Sequence, residues 1–138
     1  MIKSTDIAWL AGLLEGEGCF SLQGKDTPTK YMVPAIRINM KDVDIINRVG
    51  RLLDRSTYFA GSPVYAKQQY AVCITGRPAV EWMMTVYGLM GHRRKVRILE
   101  ILNYWKVSRY QPPRKGYHKT RAYSDSSYFD NLEKQLGS

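Results

Sequence analysis

Two carboxylates close a short apolar segment near the start of the chain: Leu10-Ala11-Gly12-Leu13-Leu14-Glu15-Gly16-Glu17-Gly18. Carboxylate oxygens are hard ligands, suited to Mg²⁺ and cations like it. Glu17 stands between two glycines at which a helix is expected to break, so its side chain would be carried at the helix end. Upstream, Ala8, Ala11 and Gly12 form a strip of small side chains, and two helices approach closely only where side chains are small. Glycine inside a helix costs about 1 kcal/mol relative to alanine, so Gly12 points to a packing need. Two such helix ends brought together would place two Glu17 carboxylates near one axis. A pair that close is costly unless a cation lies between them.

The elements around this segment read clearly. Ser4 or Thr5 can cap a first helix, with Asp6 in its first turn where the helix dipole favours negative charge. Cys19 to Lys25 reads as a strand, with Phe20 and Leu22 on one face and Ser21, Gln23 and Lys25 on the other. Asp26 to Lys30 is a turn. A second strand, Tyr31 to Met40, sets Ile36, Ile38 and Met40 against Ala35, Arg37 and Asn39. A second helix follows, with Val43, Ile46, Val49 and Leu53 inward. Two further strands are expected near Pro63–Lys67 and Gln69–Thr75. Pro78 suits the first turn of a third helix containing Val80, Trp82, Met83 and Val86. A fourth helix spans about Arg93 to Trp105, with Val96, Leu99, Leu102 and Trp105 inward.

The fold class is therefore α+β, in the order α-β-β-α-β-β-α-α. Four antiparallel strands would carry helices on one face and leave the other open. That open face would hold Ser21, Gln23, Lys25, Arg37, Asn39, Lys67 and Gln69, hydrogen-bonding side chains that can read base edges. Such a face is more often simply solvated. The organisation expected is one domain over 1–110 and a basic, Tyr-rich extension over 111–138, a phosphate-following arm or a disordered tail with a short helix.

Composition bounds the partners. The 138 residues hold 21 Lys+Arg against 12 Asp+Glu, a net charge of +9. An excess of that size suits a polyanion, whose condensed counterions are released on binding. Eleven of those basic residues, against four acids, lie from Arg93 onward. Two cysteines, Cys19 and Cys73, are too few and too far apart for a disulfide framework or a zinc site, and buried, reduced thiols are expected. His92 and His118 have no neighbours that would make a metal site. No apolar run approaches the roughly 18 residues of a membrane span. Acids and glycines interrupt the N-terminal apolar stretch where a signal peptide would be cleaved. The expected setting is intracellular and reducing, the cytoplasm of a prokaryotic or phage-infected host, or an organelle.

The nine residues from Leu10 to Gly18 resemble the LAGLIDADG signature of the homing endonucleases. Trp9 before it and Phe20 after it are a frequent pair in that family, and Glu at both acidic positions is a familiar variant. The order of elements extends the resemblance as far as Trp105. It implies the LAGLIDADG fold and a site-specific endonuclease that hydrolyses a phosphodiester in each strand of double-stranded DNA, using Mg²⁺, with Mn²⁺ as a substitute. One copy of the motif implies a C2 homodimer and a near-palindromic target. By the same resemblance Glu17 and the Gly16 carbonyl are metal ligands. Glu15 would serve the helix end and the dimer interface with Ala8, Ala11 and Gly12.

Two family positions need translation. A polar residue, often Gln, is usual near the end of the second strand. Here that position is Met40, so Asn39 or Lys41 would take its place. A basic residue before the last core helix falls at Arg93, or next at Arg94, to balance phosphate charge in the transition state. Met40 keeps a second reading in play: a protein of this fold that binds nucleic acid without cutting it, an intron-splicing maturase or a DNA-binding regulator. Intact Glu17 favours cutting.

Overall fold

The computed structural model describes residues 2–28, 30–61 and 68–109. Four strands, β1 (Gly18–Gln23), β2 (Val33–Met40), β3 (Tyr58–Phe59) and β4 (Tyr70–Thr75), form one antiparallel sheet in the order β1-β2-β4-β3. Among the described residues four helices accompany it: α1 (Ser4–Glu17), α2 (Val43–Leu53), α3 (Arg77–Val86) and α4 (His92–Arg109). A single 3₁₀ turn, Tyr87–Leu89, joins α3 to α4. The element order is the one expected, α-β-β-α-β-β-α-α.

Period-two alternation divides the sheet into two faces. Phe20, Ile36, Ile38, Val72 and Ile74 point to the helices and are buried there. Against them pack Leu10 and Leu14 of α1, Ile46, Val49 and Leu53 of α2, Met83 and Val86 of α3, and Ile98 and Ile101 of α4. Each such side chain stabilises the fold by about 1.5–3 kcal/mol through removal of apolar surface from water.

Several boundaries differ from expectation. α1 begins at Ser4 with Lys3 in the capping position, because the Asp6 carboxylate accepts the Lys3 backbone N–H at 3.2 Å. The helix passes through Gly16 and stops at Glu17; only Gly18 leaves it, in an extended conformation. A Cβ on Gly18 would lie 2.7–2.9 Å from Leu14 side-chain and backbone atoms, so the tight exit into β1 needs glycine. Val43 is 45% exposed because it opens α2 beyond the edge of the core. In α4, Val96 is 42% exposed, while the inward face is Ile98, Ile101 and Leu102, with Leu99 and Trp105 partly covered. That face also carries Arg94 and Arg97, which bond to β1 carbonyls, so an apolar count misplaces it.

The strand expected near Pro63–Lys67 lies outside the described residues, as does the extension 111–138. Among the described residues, β4 pairs with β2 on one side and with Tyr58–Phe59 on the other.

Candidate nuclease site and nucleic-acid face

The functional side chains expected at the end of α1 gather around Gly18. Glu17 is the last residue of α1 and is exposed. The register Gly18↔Ile38 brings the end of β2, Asn39 to Lys41, to this same corner. From α4, Arg94 Nη1 donates to the Gly18 carbonyl at 2.7 Å and Nη2 to the Glu15 carbonyl at 3.2 Å. Arg93, beside it, is exposed in the first turn of α4. The Glu15 side chain also meets the start of α4: its Oε1 accepts the Gly91 backbone N–H at 3.2 Å.

The last carbonyls of a helix lack intrahelical partners. Here the Leu14 carbonyl accepts the Gly18 N–H and the Glu15 carbonyl accepts Arg94. The Gly16 carbonyl and the Glu17 carboxylate lie next in the same turn. They are a pair of hard oxygen donors of the kind Mg²⁺ takes. Among the described residues no group of three or more His, Cys, Asp or Glu side chains gathers to hold a metal.

Met40 packs against the core side of the sheet. Asn39 and Lys41 flank it on the opposite parity and are the polar side chains available at the end of β2. Asn39 Oδ1 accepts Arg37 Nε at 3.0 Å, and Lys41 is exposed.

The open sheet face carries Ser21, Gln23, Arg37 and Asn39 on β1 and β2, as expected from their alternation. Lys25 follows Gly24 past the end of β1, and Gln69 directly precedes β4. Lys67 lies outside the described residues. Alternation alone understated this face. The register aligns Cys19, Arg37 and Cys73 in one row across three strands, and Ser21, Ala35 and Thr75 in the next. Cys19 is exposed and Cys73 half-buried, so neither is the buried core thiol expected; both stand on the side of the sheet without helices. Gln23 Nε2 lies 3.6 Å from Cys73 Sγ, so its side chain leans across β2 above Ala35, which is buried beneath it. Tyr58, paired with Ala71, joins the same face from β3.

The small-residue strip of α1 divides. Ala11 is 2% exposed and belongs to the chain's own core, whereas Ala8 and Gly12 are exposed. A Cβ on Gly12 or Gly16 would meet nothing within 4 Å. The open strip of the single chain is therefore Ala8, Gly12 and Gly16, with Ala11 packing inward. Among the described residues no helix is long and apolar enough to cross a membrane.

No family model and no curated protein matches the chain in sequence. Solved structures match in fold. The homing endonuclease I-CvuI, in complex with its target, superposes with a TM-score of 0.56 at 14% identity, covering 96% of this chain and 95% of that one. The LAGLIDADG meganuclease I-CpaMI, bound to uncleaved DNA, gives 0.55 at 15% identity, over 75% of this chain and 38% of that one. The meganuclease I-SmaMI, bound to uncleavable DNA, gives 0.57 at 12% identity, over 98% of this chain but only 44% of that one. With its helices on one face of a β1-β2-β4-β3 antiparallel sheet, the chain has the LAGLIDADG homing endonuclease fold.

Proposed function

We propose that the protein is a site-specific, divalent-metal-dependent endonuclease of double-stranded DNA, acting as a C2 homodimer on a long, near-palindromic target. The observation that carries this reading is the position of Glu17. It ends α1, exposed, where the first residue of β1, the end of β2 and the basic start of α4 converge. A catalytic carboxylate on a rigid helix end beside an open polar sheet is the arrangement a cutting enzyme of this fold requires.

The dimer reading is supported by three features. The middle of α1, Ile7 to Leu14, carries no polar side chain on any side, and such a helix segment is expected to be covered on more than one side. Its outward strip presents Ala8, Gly12 and Gly16. The chain also matches I-CvuI along nearly the whole of both chains, but I-SmaMI over less than half of that chain, as one unit of a longer protein.

In this mechanism the sheet faces of two protomers lie along the duplex, with Arg37, Gln23 and Ser21 at base edges and Lys25 at the backbone. The Glu17 carboxylates and Gly16 carbonyls of both protomers would hold the cations. Mg²⁺ or Mn²⁺ bound there would supply an activated water and polarise the phosphate. Asn39 or Lys41 would orient solvent at the end of β2 in place of Met40. Arg93 offsets charge that develops on the phosphate.

Met40, held on the core side where a polar residue would be needed, favours one alternative, a nucleic-acid-binding protein of this fold that does not cut. A library of DNA duplexes incubated with Mg²⁺ separates the two. Wild type should cut a discrete site, and Glu17→Gln should bind that site and leave it intact. Tight binding without cleavage by wild type in Mg²⁺ or Mn²⁺ would establish the alternative.

A further inference from the structure

The end of α1 and the start of α4 hold each other from both sides. From α4, the Arg94 guanidinium spans two main-chain carbonyls, Gly18 at 2.7 Å and Glu15 at 3.2 Å. Arg97 Nε adds the Phe20 carbonyl at 3.2 Å. From α1, the Glu15 carboxylate accepts the Gly91 N–H at 3.2 Å, and a Cβ on Gly91 would stand 2.5 Å from that oxygen. Arg94 Nε is buried with no hydrogen-bond partner in the structure. The guanidinium is thus turned inward, onto the peptide groups that bracket Glu17, and not outward toward a phosphate.

A planar guanidinium can bridge two acceptors in fixed geometry, which a single ammonium cannot do equally well. The carbonyls it takes are among those a helix end leaves unsatisfied. Glu17 lies between them, with its backbone pinned on either side. A ligand shared across a two-fold axis tolerates little error, of order 0.5 Å, because any displacement is doubled by symmetry.

We infer that Arg94 is a positioning residue for Glu17. With the Glu15–Gly91 bond it forms a reciprocal lock that fixes the metal-binding carboxylate against α4 and the exposed Arg93. This rests on the endonuclease reading above, and it moves Arg94 from phosphate chemistry to ligand geometry.

The test uses the full chain with Arg94→Lys, Arg94→Met and Gly91→Ala, on a duplex selected by wild type. Three quantities are measured: DNA affinity in EDTA, cleavage rate against Mg²⁺ concentration, and Ca²⁺ affinity of the protein–DNA complex by calorimetry. DNA affinity in EDTA should stay near wild type. Both Arg94 variants should weaken Ca²⁺ binding and raise the half-saturating Mg²⁺ concentration by on the order of tenfold, the loss typical when support of metal ligands is removed. Gly91→Ala, which meets only the flexible end of Glu15, should shift both in the same direction by less. A rate loss at saturating Mg²⁺ with unchanged metal dependence, rescued by Arg94→Lys, would instead place Arg94 on the phosphate. If Arg94→Met does not fold, wild-type metal affinity in both other variants overturns the lock. If wild type cuts nothing, the endonuclease reading falls, and the Ca²⁺ affinities alone decide the lock.

Discussion

The Arg48 guanidinium lies 3.9 Å from the centroid of the Trp9 ring, and its Nη2 is 3.5 Å from Asp6 Oδ1. One side chain of α2 thereby ties down two consecutive turns of α1. A cation–π contact at a partly exposed site contributes about 0.5–1 kcal/mol, and an exposed ion pair adds little to that. Arg48→Ala should therefore lower stability by about 1 kcal/mol in urea denaturation, with Arg48→Lys recovering part of the loss. An unchanged midpoint for Arg48→Ala would show that the contact contributes nothing.

Gly12 separates stability from association. Its Cβ position is open in the single chain, and replacing a helical glycine by alanine gains about 0.5–1 kcal/mol. In a dimer packed along Ala8, Gly12 and Gly16, bulk at this point would hold the helices apart. Gly12→Leu should keep a folded monomer while weakening self-association in sedimentation equilibrium. Unchanged association would remove this strip from the interface.

Arg37 is the best-placed cation on the open face, oriented by the 3.0 Å bond to Asn39 Oδ1. A side chain already held in position gives up less entropy on binding. Arg37→Ala should reduce DNA affinity by about 1–3 kcal/mol and relax base preference at one position of each half-site. A uniform loss over all sequences, with a salt slope reduced by about one, would reassign it to a phosphate.

Cys19 is exposed in the same row as Arg37, with Cys73 half-buried on the other side. A thiol reagent should label Cys19 rapidly and Cys73 more slowly, and a bulky adduct on Cys19 should abolish DNA binding. Cys19→Ser should bind DNA and resist that inactivation. Equally slow labelling of both thiols would contradict the exposed face.

Gly18→Ala tests the helix-to-strand exit. The added methyl would meet Leu14 backbone as well as side chain, and overpacking of this kind costs about 1–3 kcal/mol. The variant should lower thermal stability and lose more cleavage than its stability loss explains, because Glu17 immediately precedes the strained point. Wild-type cleavage would show that the exit can shift without moving Glu17.

Local pattern was enough to read the order of elements, the two faces of β1 and β2, and the segment ending in Glu17. Alternation and helical spacing are properties of neighbouring residues, and the apolar side chains of Phe20, Ile36 and Ile38 leave the sheet one side to bury. What local pattern could not decide depended on residues far apart in the chain. The inward face of α4 follows from Arg94 and Arg97 reaching the carbonyls of Glu15, Gly18 and Phe20, bonds across more than 70 positions that no apolar periodicity records. Ala11 and Gly12 look alike as small residues, yet packing buries one in the core and leaves the other open. Cys19 and Cys73 look like core thiols until strand register sets them on either side of Arg37. Glu17, the helix that carries it and the strands beside it all follow from patterns among near neighbours in the chain. Which basic residue turns inward to the end of α1 and which stays exposed is set by the fold, because a guanidinium turns to whatever unsatisfied carbonyls packing brings within reach.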